Sequence, residues 1–173
     1  TDKYKDNELS YLKEVLNGRP HPNGLTWCNA LEKAFCEKFN AKYAIAMNSG
    51  TATLHAALEA AGVGYGDEVI CPAITVIMNT TTVLQCNAIP VYADVDPETF
   101  LIDIEDVKKK ITPKTKAIVV VSLYGLPLDM DKFNKLSQEY NIPIIEDHAQ
   151  CFLGTYKNKI AGVSNLFSSW SFE

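Results

Sequence analysis

Arginine is nearly missing from this chain: Arg19 is the only one in 173 residues. Two-pronged recognition of carboxylates and phosphates usually falls to arginine, so the shortage limits which anions this stretch can grip by side chain. A basic face is missing too. The net charge is -5, nothing offsets phosphate repulsion, and a nucleic-acid partner is excluded. Lys108-Lys109-Lys110 is the one basic run and reads as a solvated helix end. No two of the five cysteines, Cys28, Cys36, Cys71, Cys86 and Cys151, stand at a C-x-x-C spacing, and their number is odd. Neither a zinc site nor a disulfide framework is favoured, and no metal is expected. Cys71 and Cys86 lie in apolar stretches and read as small core residues. There is no apolar run of membrane length and no signal-peptide pattern, so no membrane partner is expected and the cytoplasm is the default compartment. The chain starts at Thr1 rather than Met and stops at Ser171-Phe172-Glu173 without a closing helix, so both ends read as cut.

Hydrophobic residues make up 47% of the chain and charged residues 21%, which suffices for a packed core in one α/β domain or part of a larger one. Apolar spacing predicts a helix over Glu8–Leu16, stopped by Gly18 and Pro20, then an irregular arm at residues 21–26. A second helix is expected over Asn29–Phe39. Beyond it strands and helices alternate. Strands are expected at Tyr43–Met47, Glu68–Cys71, Pro90–Ala93, Ala117–Ser122 and Pro143–Asp147. Helices are expected at Ala52–Ala61, Thr75–Gln85, Glu105–Ile111 (with Asp103 as N-cap) and Met130–Tyr140. The aliphatic run at Ala117–Ser122 suits a strand buried on both faces. Such β-α-β order implies an α/β fold with a mostly parallel sheet flanked by helices. Ligands of such sheets bind beyond the carboxyl ends of the strands, which singles out residues 48–51, 71–76, 94, 122–125 and 147–150.

Asn48-Ser49-Gly50-Thr51 joins a strand to a helix. Its glycine permits close backbone approach, its hydroxyls lie beside free N–H groups, and the helix dipole favours an anion. That describes a phosphate seat, but plain capping by Ser49 or Thr51 explains the same residues. In Ile144-Ile145-Glu146-Asp147-His148-Ala149-Gln150 two adjacent carboxylates end an apolar strand and point to opposite sides. One lands at the ligand edge, where it could pair with a protonated ring nitrogen; a solvated acidic strand end is the alternative. Gly62-Val63-Gly64-Tyr65-Gly66 follows a helix and precedes a strand, the reverse of the dinucleotide-binding order, and reads as a turn. His55 and His148 read as packing residues.

Taken in order, these segments resemble the DegT/DnrJ/StrS family of fold-type-I pyridoxal-phosphate (PLP) enzymes, the sugar aminotransferases. The resemblance runs from about Leu31 to Phe172. Its landmarks are residues 48–51, Gly64-Tyr65-Gly66-Asp67-Glu68-Val69-Ile70, Pro72-Ala73, Pro90-Val91-Tyr92-Ala93-Asp94-Val95-Asp96 and Thr112-Pro113-Lys114-Thr115-Lys116-Ala117-Ile118. Leu123-Tyr124-Gly125-Leu126-Pro127, Glu146-Asp147-His148-Ala149-Gln150 and Trp170-Ser171-Phe172 complete the series. The resemblance implies an N-terminal helix and arm at 1–28 and a partial PLP-binding large domain at 29–173. It implies that Ser49, Gly50 and Thr51 contact the cofactor phosphate, with Ser171 adding a hydroxyl from the other side. Asp147 would partner the pyridine nitrogen, Gln150 the phenolic oxygen, and Val76 would cover the ring where the family usually has an aromatic residue. Ser122 stands where members often carry histidine.

In the family the Schiff-base lysine follows the Ser-Phe pair by four residues, so it is absent from this chain and falls three residues past Glu173. Lys157 and Lys159 lie in an expected hairpin and are not nominated. The implied activity is transfer of an amino group from glutamate or glutamine to a nucleotide-linked keto-sugar, in a homodimer, with this fragment inactive alone. Most donor and sugar contacts would lie beyond it, which fits the scarcity of arginine. A PLP sugar dehydratase with histidine for lysine, and a non-catalytic regulatory protein on the same fold, are the alternatives.

Overall fold

The computed structural model describes residues 7–172; the expectations drawn from the ends at Thr1 and Glu173 lie outside them. The chain forms two compact units, Thr1–Ala46 and Met47–Glu173.

In the first unit helix α1 (Glu8–Leu16) buries no residue. Helix α2 (Trp27–Phe39) starts two residues earlier than its apolar pattern suggests, because Thr26 caps it by accepting from Asn29 N. It buries Ala30 and Phe39 and ends on Asn40 in the left-handed region, at φ 52°, a conformation asparagine tolerates. The arm before it is fastened by the Trp27 indole, which donates to Arg19 O at 2.9 Å.

The second unit is the expected alternation. Helix α3 (Gly50–Ala60) is followed by β1 (Glu68–Pro72), α4 (Met78–Gln85), β2 (Ile89–Ala93), α5 (Ile104–Lys110) and β3 (Thr115–Val121). Then come a 3-10 turn at Leu123–Gly125, α6 (Met130–Tyr140), β4 (Ile144–Asp147), a hairpin of β5 (Thr155–Tyr156) and β6 (Lys159–Ile160), and β7 (Phe167–Ser169). The five-stranded sheet has the order β2-β1-β3-β4-β7, and every pairing in it is parallel. Asp103 caps α5 as expected, accepting from Glu105 N at 2.8 Å. Lys108 and Lys109 pair with Glu105 and Asp106 at that helix's surface.

Three departures from the expected elements stand out. No strand forms over Tyr43–Met47. The alternation is real, with Tyr43, Ile45 and Met47 all exposed, but a strand exists only through a neighbour's backbone, and this segment pairs with none of the described strands. Conversely β7 was not anticipated, because Phe167-Ser168-Ser169 is too short and polar to show a period. Helix α4 also begins at Met78 rather than Thr75.

Side-chain alternation divides the core in two. Val69, Cys71, Val119, Val121 and Ile145 join Leu54 and Leu58 of α3 and Val83 of α4 on one face. Ile70, Ile118, Val120 and Ile144 join Val107 of α5 and Phe133 and Leu136 of α6 on the other. This assigns the two carboxylates ending β4. Asp147 follows Ile145 to the α3 and α4 face; Glu146 follows Ile144 to the α5 and α6 face.

Candidate active site

The residues expected to matter gather at the carboxyl end of the sheet. Helix α3 opens there. Ser49 is extended, at φ -163° and ψ 158°, and its Oγ accepts from Ala52 N at 3.1 Å. That cap leaves the hydroxyl proton and the first helical amides, Gly50 and Thr51, directed at the helix N-terminus, where donors lack intrahelical partners. Capping by Ser49 therefore leaves in place the donors that an anion seat needs. At Gly50 a Cβ would lie 2.7 Å from Ser171 Cβ, a clash, so only glycine lets the strand-end segment carrying Ser171 close over the turn.

Asp147 ends β4, is 1% exposed, and stands opposite Val121 and Ser169 in the sheet. Its Oδ1 accepts from Ala149 N at 3.0 Å. Its Oδ2 is buried and takes no hydrogen bond of good geometry from the described residues, although the Asn79 side chain lies near enough to favour the charged form. Burial pushes the carboxyl pKa up, while the Ala149 amide, the Asn79 side chain and nearby His148 pull it down only in part. An acceptor oxygen in that state has capacity for a stronger donor, and a cationic one satisfies both its charge and its lone pair.

Two groups join Asp147 to α3. Ser169, its register partner, places Oγ 2.6 Å from Thr53 Oγ1, and Thr53 Oγ1 donates to Gly50 O at 2.7 Å. The acidic strand end and the helix start thus share one hydroxyl bridge. Gln150 accepts from Tyr124 N through Oε1 at 3.0 Å, which holds the amide so that its NH₂ is the end left to donate. Val76 lies in the 73–77 segment between β1 and α4 and is 38% exposed. Ser122 is fully buried, with its hydroxyl near enough to the Cys151 thiol to act on it.

Sequence reasoning missed Thr53, Ser169 and Asn79. Asn79 is 1% exposed and donates to Thr75 Oγ1 at 2.9 Å; a polar residue at an inward helical position was its only signal. His148 is a packing residue on the face away from Asp147, hydrogen-bonded to Glu146 at 3.1 Å. Asp94 is spent locally, accepting from Val95 N. Lys157 pairs with Asp131 at the surface. No helix among the described residues is long and apolar enough to cross a membrane.

Known proteins resemble this chain along most of its length. GDP-perosamine synthase of Caulobacter vibrioides is 39% identical over 173 residues, covering 96% of this chain and 45% of the relative. L-glutamine:2-deoxy-scyllo-inosose aminotransferase of Micromonospora echinospora is 40% identical over 171 residues, covering 95% and 41%. The crystal structure of an aminotransferase from Psychrobacter cryohalolentis superposes with a TM-score of 0.91 at 37% identity, covering 98% of this chain and 43% of that one. The chain thus spans less than half the length of these relatives. The profile of the DegT/DnrJ/EryC1/StrS aminotransferase family matches residues 2–173, and this chain belongs to that family.

Proposed function

We propose that this chain forms the cofactor-binding part of a PLP-dependent aminotransferase that moves an amino group from glutamate or glutamine to a nucleotide-linked keto-sugar. The observation that carries the proposal is the buried Oδ2 of Asp147, which takes no hydrogen bond of good geometry from the described residues, on the sheet face that α3 covers. A pyridinium N–H supplies the missing donor and counter-charge, and the phosphate at the ring's other end matches the amides and hydroxyls of residues 49–51. The donor set fits the group.

When bound, PLP supplies an electron sink for the carbon that loses its proton. Asp147 would keep the ring nitrogen protonated by holding its proton in an ion pair. Ser49, Gly50, Thr51 and Ser171 would bind the phosphate through N–H and O–H donors, a mode that needs no arginine. Gln150 would donate its NH₂ to the phenolic oxygen, and Val76 would cover one ring face by apolar contact. A lysine beyond Phe172, expected from the family resemblance, would carry the proton between carbon centres.

The substrate class rests on relatives such as the GDP-perosamine synthase; the amide donor rests on the glutamine-named relative. A homodimer is supported by the exposed apolar rim at Ile74, Val76, Ile77 and Met78, a patch suited to cover by a second copy. The test is to incubate the full-length protein with PLP, ¹⁵N-labelled glutamate or glutamine, and nucleotide-linked keto-sugars. A bound-cofactor visible spectrum with ¹⁵N in an amino-sugar product supports the proposal. Loss of water from the sugar without nitrogen transfer identifies a dehydratase instead. No spectrum at all favours a non-catalytic protein.

A further inference from the structure

Glu146 lies on the face of β4 away from the proposed cofactor, yet it is wholly buried. Both of its oxygens are engaged. Oε2 takes a hydrogen bond from His148 Nε2 at 3.1 Å. Oε1 accepts from Ser164 N at 3.1 Å and from Asn165 Nδ2 at 3.0 Å. A buried carboxylate with three donors is costly to assemble, and losing it leaves those donors stranded. The donors are not scattered. Ser164 and Asn165 belong to the loop that feeds β7, and β7 delivers Ser169 to Thr53 and Ser171 to Gly50.

The same loop is fitted closely to His148. Gly162, at φ +97°, has no room for a Cβ, which would lie 2.4 Å from the Trp170 ring and 2.8 Å from the His148 ring. The two rings stack with centroids 5.7 Å apart and planes at 25°. Trp170 immediately precedes Ser171. Glu146, His148, Gly162 and Trp170 therefore form one packed and hydrogen-bonded unit behind the strand end.

We propose that Glu146 is a positioning residue for the cofactor: by gripping Ser164 and Asn165 it sets where β7 ends, and so holds Ser171 against the phosphate seat of α3. The mutual placement of Asp147 and Ser171 then depends on one carboxylate that touches neither the cofactor nor the substrate. The inference rests on the PLP reading for its functional consequence, but the clamp itself can be measured without cofactor.

The experiment uses the full-length protein with E146L, E146Q and N165A, reading PLP affinity by equilibrium dialysis and hydrogen–deuterium exchange of the cofactor-free forms. Leucine fills the space without an acceptor, so E146L weakens PLP binding about tenfold and speeds exchange at residues 164–171. Glutamine keeps an oxygen for the loop donors and stays within about threefold of wild type, while N165A loses about threefold. Unchanged affinity in E146L with only a lowered melting temperature overturns the proposal, as does unchanged exchange at 164–171. Should E146L not fold, N165A decides: wild-type affinity and exchange there refute the clamp. A wild-type protein that binds no PLP refutes the cofactor reading instead, and the exchange data then judge the clamp alone.

Discussion

Thr53 Oγ1 and Ser169 Oγ approach to 2.6 Å, and this contact joins the first turn of α3 to the strand paired with Asp147. Neither residue is charged or sits in a recognisable motif, yet together they set the spacing between an anion seat and an acid. Removing one hydroxyl leaves a half-satisfied polar pair in a largely buried setting. T53V and S169A should each destabilise the full-length protein by about 1–2 kcal/mol, measured by urea unfolding, with parallel weakening of PLP binding. The double variant should cost less than the sum, because both changes remove the same bond.

Gly50→Ala tests the closeness of the seat. The added Cβ would meet Ser171 Cβ at 2.7 Å, a contact no rotamer of alanine relieves. Overpacking of this kind costs about 1–3 kcal/mol. The loss should fall mainly on phosphate binding, so inorganic phosphate should protect the wild type from PLP loading more effectively than it protects G50A.

Asp147→Asn separates stability from function. Burial raises the pKa of Asp147 above its ordinary 3.8, so in the window just above 3.8 the folded cofactor-free state holds a proton that the unfolded state has released. Stability contributed by this group therefore falls as pH rises through that window and stays lower above it. Cofactor-free D147N should lack that loss and gain on wild type as pH increases, in urea unfolding at several pH values. With PLP the order reverses. Losing a buried ion pair's partner costs about 3 kcal/mol, more than a hundredfold in affinity.

Thiol reactivity follows burial. Desolvation pushes Cys71 up to about 12, and burial with the Glu59 carboxylate nearby pushes Cys86 up to about 11, while Cys28 is exposed. A disulfide reagent should label Cys28 first and reach Cys71 and Cys86 only on unfolding, as mass spectrometry of the labelled peptides would read.

The parallel sheet was legible because Ala117–Val121 is too apolar for anything but a strand covered on both faces, and because Glu146 and Asp147 had to diverge by simple alternation. At residues 49–51 the helix start was legible, and Ser49 does cap α3, but a Ser-Gly-Thr turn serves capping as readily as an anion seat. Three things were hidden. The segment Tyr43–Met47 has a strand's composition, but pairing is a property of the neighbour and not of the segment. Ser169 meets Thr53 and Asn79 acts on Asp147, partners distant in the chain, and no local pattern announces such meetings. Glu146 read as one of two acids at a strand end, and only the fold reveals that one of its oxygens faces the 164–165 loop and the other the His148 ring rather than water.

The most direct measurement is a crystal structure of the full-length protein grown with PLP. The ring nitrogen should lie at about 2.8 Å from Asp147 Oδ2, with the phosphate on the amides of Gly50 and Thr51. A cofactor seated elsewhere, or Asp147 facing water while the ring is bound, would contradict the account.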